Sequence, residues 1–487
     1  MINQLALICI LSCMVLAEGK GKETIMLIEI YTPGSGAPVR DNLLKEDWIK
    51  EVGNGHLSGN GMRQQYNLGA EMRKTHETFF KQITPEQAKV FSSGRSRSLI
   101  SAISHNHGLF SGDSRWGEND VPHYDIMKSM AKNQPRWSGG NSIDLKGRFK
   151  TEFFKEPVPI PLESEEQFDD FLFIPRLDKT CPLARKARDE FRDSYIQSDF
   201  TKMHEITVDL EEDLQKIGLK THISENATNP VLKNLSEIYR LYDAVRASRY
   251  QTGSLPSKMK DEDYNMLELG ASGYFMLKFE MNSIRRLYTH HISELILNEI
   301  IRRTRAVKLQ EFTGEEIMDK GLAYLGFSGE DDTVAAMLHM FKQTSAGCLL
   351  YGELYSSLIK DIKYDADGGK HSRCYRIPPF SSSLVFEVIH DKDMRDFKVI
   401  LRYNFENLTL EQASSSIPLD QFVNYMETHA FSDDFEAVCG DRHANYEYIK
   451  HASFGTICLL LIIGICIFRA KKLQYDRLAK KRQEKAK

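Results

Sequence analysis

The sequence predicts an α/β protein: a mixed sheet flanked by helices, interrupted by a mostly helical insertion and followed by one C-terminal membrane helix. Three observations predict it. The continuous apolar run Ile25-Met-Leu-Ile-Glu-Ile30 breaks at a glycine-containing turn, which suits a strand covered on both faces, with Glu29 as the exception. Strand-like runs then alternate with segments of three- and four-residue apolar spacing, the rhythm of strand–turn–helix units. Near the C-terminus an unbroken apolar run of about 17 residues, the short limit for crossing a bilayer, leads into a basic tail.

Taken in order, residues 24–31 form the first predicted strand. A helix follows from about residue 61, with Met62, Tyr66, Leu68 and Met72 on one side. Residues 89–92 form a second strand, and a helix starts at Ser98. The stretch 116–180 is irregular, with Pro157, Pro159 and Pro161 scattered through it, and 182–305 reads as helical. The sheet pattern returns near Tyr324, and 381–406 alternates as an antiparallel hairpin at an edge. The predicted organisation is an α/β core of 18–115 and 306–440 with a helical cap of 116–305 inserted.

The chain has 487 residues, 41% hydrophobic and 27% charged, enough for a packed core and unlike a disordered composition. Residues 1–17 read as a secretory signal peptide, with Val15 and Ala17 at the small-residue positions of a cleavage site but no basic start. A buried first helix is the blander alternative. Residues 452–468 form the predicted transmembrane helix, and in the tail, 469–487, nine Lys and Arg stand against Asp476 and Glu484. Basic flanks stay cytoplasmic, so the bulk of the chain is expected outside the cell or in a lumen, at the plasma membrane or in a lysosome or endosome. That bulk is acidic, which excludes nucleic acid as a partner. The tail suits anionic lipid, and Tyr475-Asp476-Arg477-Leu478 has the pattern of a tyrosine sorting signal for an endocytic adaptor.

Cys9 and Cys13 fall in the signal, and Cys458 and Cys466 in the membrane segment. Cys181, Cys348, Cys374 and Cys439 remain, an even set that allows two disulfides in any of three pairings. Asn226, Asn234 and Asn407 stand in N-glycosylation motifs. No cofactor and no metal site is predicted, and a homo-oligomer is compatible with the sequence.

The turn after the first strand, Thr32-Pro33-Gly34-Ser35-Gly36-Ala37-Pro38, is sized for a phosphate yet carries no charge. With "GHLSGNGMRQQYNLGAEMR", "FSSGRSRSLISA" and Ser328-Gly329-Glu330-Asp331-Asp332-Thr333, in that order, it resembles the histidine acid phosphatase family, in its membrane-bound lysosomal or prostatic branch. "PPFSSSLVFEV" and "VNYMETHAFSDDFEAVC" resemble the family's closing segments. The resemblance implies a phosphoglycerate-mutase-like fold and phosphomonoester hydrolysis by attack of a histidine on phosphorus.

Carried over by position, the family's R-H-G-x-R-x-P places the nucleophile at Pro33 and two phosphate-binding arginines at Thr32 and Gly36. A third arginine is retained as Arg97, the substrate-contacting histidine falls at Glu330, and the proton donor is retained as Asp331. Proline has no nucleophile, and threonine and glycine do not replace guanidinium forks. Glu330 adds negative charge where a dianion would bind. The sequence therefore predicts a binding or scaffolding pseudoenzyme, with a membrane-bound acid phosphatase and a purely structural surface protein as alternatives. Gly34, Ser35 and Gly36 could still offer N–H groups to an anionic or phosphorylated ligand. The competing expectation is an ordinary turn with Arg97 paired to Asp331 or Glu330. His56, His105 and His107 are expected to be solvated or core histidines, not substitute nucleophiles.

Overall fold

A computed structural model describes residues 21–38, 47–110, 162–164, 172–173, 181–198, 200–216, 230–255, 259–314, 321–355, 374–410 and 415–431. The predicted signal peptide, membrane helix, basic tail, Tyr475 motif, Asn226 and Cys439 lie outside these residues. Among the described residues no helix is long and apolar enough to cross a membrane. The chain divides into a unit of residues 1–180 and 184–432 and a second of residues 181–183 and 433–487. The second unit lies outside the described residues apart from 181–183.

The first half of the chain runs β1 (Lys22–Tyr31), α1 (Asp47–Val52), α2 (Gly59–Thr75), α3 (Glu77–Phe80), β2 (Ala88–Ser92), α4 (Ser96–Phe110) and β3 (Leu162–Ser164). Five helices follow: α5 (Pro182–Ser198), α6 (Phe200–Lys216), α7 (Pro230–Thr252), α8 (Asp261–Met276) and α9 (Asn282–Thr313). The chain then returns to the sheet through β4 (Tyr324–Ser328) and α10 (Asp331–Met340). It closes with β5 (Ser383–Asp391), β6 (Asp396–Tyr403), β7 (Glu406–Asn407), β8 (Ser416–Pro418) and α11 (Leu419–His429).

The strand order is β3-β2-β4-β1-β5-β6-β7, with β8 on β6. The β3-β2-β4-β1 half is parallel and the β1-β5-β6 half antiparallel. The expected closing hairpin forms, but β5 pairs with β1 as well as β6 and so lies inside the sheet, not at its edge. Its burial on both faces, from Ser383 to Val388, is what an interior strand requires.

The pleat sends alternate residues of β1 to opposite layers. Met26, Ile28 and Ile30 join the core under Ile292, Ile296 and Ile300 of α9 and Val334, Met337 and Leu338 of α10. Thus α9 packs on the sheet although it falls largely in the range expected for the cap. Leu27 faces the other way, with Tyr324 and Val90, into a cluster closed by Met72 of α2 and Ala102, Leu109 and Phe110 of α4. Each such side chain contributes about 1.5–3 kcal/mol by leaving water. Glu29 and Tyr31 share the α2/α4 side. The Glu29 carboxylate lies 3.3 Å from His105 Nε2 and accepts from the Tyr324 hydroxyl at 3.0 Å, while the His105 ring stacks on Tyr31 at 4.4 Å. His105 is therefore a buried core histidine; His56 is exposed and His107 half-buried.

Of the three disulfide pairings, the structure selects Cys348 with Cys374. Cys181 is also disulfide-bonded. Asn407 is exposed on the short strand β7, whereas Asn234 is half-buried on α7.

Candidate active site

Three parallel strands end at the same level: β1 at Tyr31, β2 at Ser92 and β4 at Ser328. The carboxyl ends of parallel strands are where α/β proteins build ligand sites. The Ser93 amide donates to Ser328 O at 3.1 Å and the Gly329 amide to Tyr31 O at 3.0 Å, so the segments after the strands are bound to one another. These segments carry every candidate residue: Thr32, Pro33 and Gly36 after β1, Arg97 after β2, Glu330 and Asp331 after β4.

The turn after β1 is filled by its own protein. The Gly34 amide donates to Ser101 Oγ at 3.2 Å, Ser35 N to Gln64 Oε1 at 2.8 Å and Ala37 N to His56 O at 3.0 Å. An oxyanion would need these donors. Ser58, which caps α2 by accepting from Gly61 N at 3.1 Å, also donates to Ser35 O at 2.8 Å. Gly36 bridges to Leu57. The approach is so close that a Cβ on Gly34 would meet the Gly61 carbonyl, and one on Gly36 the His56 carbonyl. Glycine stands here because backbone touches backbone.

Pro33 and Thr32, expected from the resemblance to fill the nucleophile and first arginine slots, are likewise bonded to the chain itself. Thr32 Oγ1 donates to Pro379 O at 2.7 Å and accepts from Ser382 N at 3.0 Å. Pro33 O accepts from Ser381 N at 3.0 Å. Ser381 adopts a left-handed φ of 56°, an arrangement of order 1–3 kcal/mol that its neighbours must hold. Gln65 supplies part of that support, its amide donating to Thr32 O at 2.6 Å and Ser381 Oγ at 3.0 Å. Gln64 and Gln65 are buried on α2 as well as Tyr66, Leu68 and Met72, a burial that the apolar spacing did not foresee.

The opposite wall keeps its cations and supplies its own anion. Glu330 is 3% exposed and precedes α10. Its carboxylate is ion-paired with Arg97, lies 3.3 Å from Arg95 Nη1, and accepts from Ser98 Oγ at 2.7 Å and Ser93 Oγ at 3.4 Å. Burial alone would push this carboxyl up, but Arg97 and Arg95 outweigh it and hold it below the usual carboxylate range. Arg97 is raised above its ordinary value: burial works against its charge, and Glu330, then Asp331, overcome that. Of the two pairings foreseen for Arg97, the one with Glu330 forms.

Asp331 is engaged by an arginine from the distant helix α7. Arg246, deep in α7, donates from Nη2 to Asp331 Oδ2 at 2.8 Å and from Nη1 to Pro378 O at 3.2 Å. Its guanidinium lies 4.0 Å from the Phe380 ring centroid. Asp331 Oδ1 is buried with no hydrogen-bond partner among the described residues. The adjacent Asp332 pairs with Lys278, whose ammonium burial pushes down even against that carboxylate. Each of these cations thus faces a carboxylate of the chain itself. A cleft built this way offers little unbalanced positive charge to a phosphate dianion.

Arg95 and Arg246 are the contributors that sequence reasoning missed. Arg95 carried a signal, since it lies two residues before Arg97 at the start of a helix. Arg246 carried none.

The chain is 21% identical to a lysosomal acid phosphatase of Xenopus laevis over 475 residues, 95% of this chain and 89% of that protein. Its fold is similar to the phytase of Hafnia alvei in complex with tartrate, with a TM-score of 0.50, 13% identity, and coverage of 85% of this chain and 98% of the other. The phytase of Citrobacter braakii matches with a TM-score of 0.50, 12% identity, and coverage of 85% and 99%. At these identities the structural likenesses establish the fold alone. The description of the Histidine phosphatase superfamily (branch 2) matches residues 20–404, and with most of the chain inside that match the protein belongs to this family.

Proposed function

We propose that this protein is a single-pass membrane protein whose histidine-phosphatase-fold domain, outside the cytoplasm, has lost phosphomonoester chemistry and acts as a binding or scaffolding pseudoenzyme. One observation carries the reading: the Glu330 carboxylate occupies the Arg95–Arg97 pair, where an anionic substrate would need those guanidinium groups. The filled turn at Gly34–Ala37 supports it, as does the lack of an imidazole at Pro33. An anionic or phosphorylated partner would have to compete with Glu330, so its binding is weak. The predicted membrane helix and basic tail supply the anchor, and the likeness to a lysosomal acid phosphatase agrees with a lysosomal or secretory-pathway location.

A second reading, a working membrane-bound acid phosphatase, draws on the retained Arg97 and Asp331. The two separate in one experiment. The purified protein is assayed with a chromogenic phosphomonoester from about pH 4 to about pH 7, and with labelled substrate under trapping conditions. The pseudoenzyme gives no turnover above an Asp331→Asn control and no phosphohistidine. Turnover that the Asp331→Asn variant abolishes would establish the enzyme.

A further inference from the structure

We propose that His290, His291 and Glu294 form a binding site for a divalent transition-metal ion of the zinc class, on the solvent-facing side of α9. The site departs from the sequence expectation of no metal and is independent of the pseudoenzyme reading.

The argument starts from helix geometry. His290 and Glu294 are four residues apart and so stand one above the other on one face; His291 is three residues before Glu294. The structure realises this: one ligand atom from each residue can be chosen so that all lie within 4.8 Å of one another. His291 Nδ1 lies 4.0 Å from Glu294 Oε2. Donors around a tetrahedral zinc, at their usual bond lengths, sit about 3.4 Å apart. Metal binding would draw the donors together by rotation of the side chains. The helix beneath is held by Ile292 and Ile296, which are buried in the core on its other side. The His290 ring is further fixed by edge-on contacts with His291 at 4.8 Å and Phe431 at 5.7 Å.

The donor set has the right chemistry. Neutral imidazole is the form that ligates. Two imidazoles and one carboxylate suit Zn²⁺, Cu²⁺ or Ni²⁺ rather than Ca²⁺ or Mg²⁺, which take oxygen donors. The His291 and Glu294 side chains are 30% and 57% exposed, so a fourth coordination position stays open to solvent or to a donor from another molecule.

The test uses the full-length protein stripped of metal and titrated with Zn²⁺ in competition with a chromophoric chelator. The wild type is expected to bind a single high-affinity equivalent. His290→Ala/His291→Ala loses that equivalent. Glu294→Gln weakens it by about 10- to 100-fold, at least the loss expected from disturbing a supporting group around a metal. Matching circular dichroism and melting temperature without metal establish that the variants fold, and His291→Asn replaces the double variant where they do not match. A wild type that binds no Zn²⁺, or variants that bind it as the wild type does, would overturn the site.

Discussion

The two walls of the site deal with positive charge in different ways. On the turn side, Thr32 and Gly36 carry no charge, and the space is taken up by neutral hydrogen bonds and backbone contact. On the helix side, Arg95 and Arg97 remain, and a buried carboxylate from Glu330 neutralises them. The first wall has been rebuilt; the second has been occupied. A rebuilt wall needs several coordinated changes before it can hold an anion, whereas an occupied one needs a single side chain removed.

The largest expected effect probes the occupied wall. Glu330→Ala leaves two arginines facing each other without their anion, and a broken buried ion pair of this kind costs about 3–5 kcal/mol. Denaturant unfolding reads that loss. Added phosphate or sulfate should recover part of it, seen as a rise in melting temperature that the wild type does not show. No recovery would mean that the second wall, too, has been rebuilt.

The next effect probes the turn. Gly36→Arg restores the family residue but drives a Cβ into the His56 carbonyl, and overpacking of this sort destabilises by about 1–3 kcal/mol. It should lower stability and yield no turnover, alone or with Pro33→His. A stable, phosphate-binding Gly36→Arg variant would erase the distinction between the walls. Thr32→Val is smaller, about 1 kcal/mol, because it removes the hydroxyl's bonds to Pro379 O and the Ser382 amide, while that amide keeps Pro379 O as an acceptor.

The smallest effect near neutrality appears only in acid. The folded-state value of Glu330 lies below its ordinary 4.5. Its contribution is therefore fully present above the unfolded value and is lost as pH falls through the lower, folded one. Stability should stay level from neutrality down to about pH 5 and then decline. Glu330→Gln should remove part of that decline. An unchanged acid limb in the variant would show that other carboxylates dominate it.

Much of this was legible from sequence because it depends on neighbours along the chain. The first strand shows as a run of apolar residues, and the turn and Arg97 sit at strand ends that the pattern locates. Arg97 was expected to pair with Asp331 or Glu330, and the structure selects Glu330. The rest depends on contacts between distant segments. Arg246 reaches Asp331 across 85 residues of chain, from the middle of a helix whose sequence gives an arginine no special place. Gln64 and Gln65 are polar residues with no pattern that marks them as buried, and their burial follows from how closely α2 approaches the turn. The interior place of β5 was hidden because a hairpin's alternation says nothing about what pairs with its first strand.

The bridge between Gly36 and Leu57 has a historical consequence. Once the backbone has settled into the volume that a guanidinium would require, an arginine arising there by chance destabilises its bearer before it confers anything. A guanidinium at this position would need the His56–Leu57 backbone to move first, a change of packing before any change of chemistry.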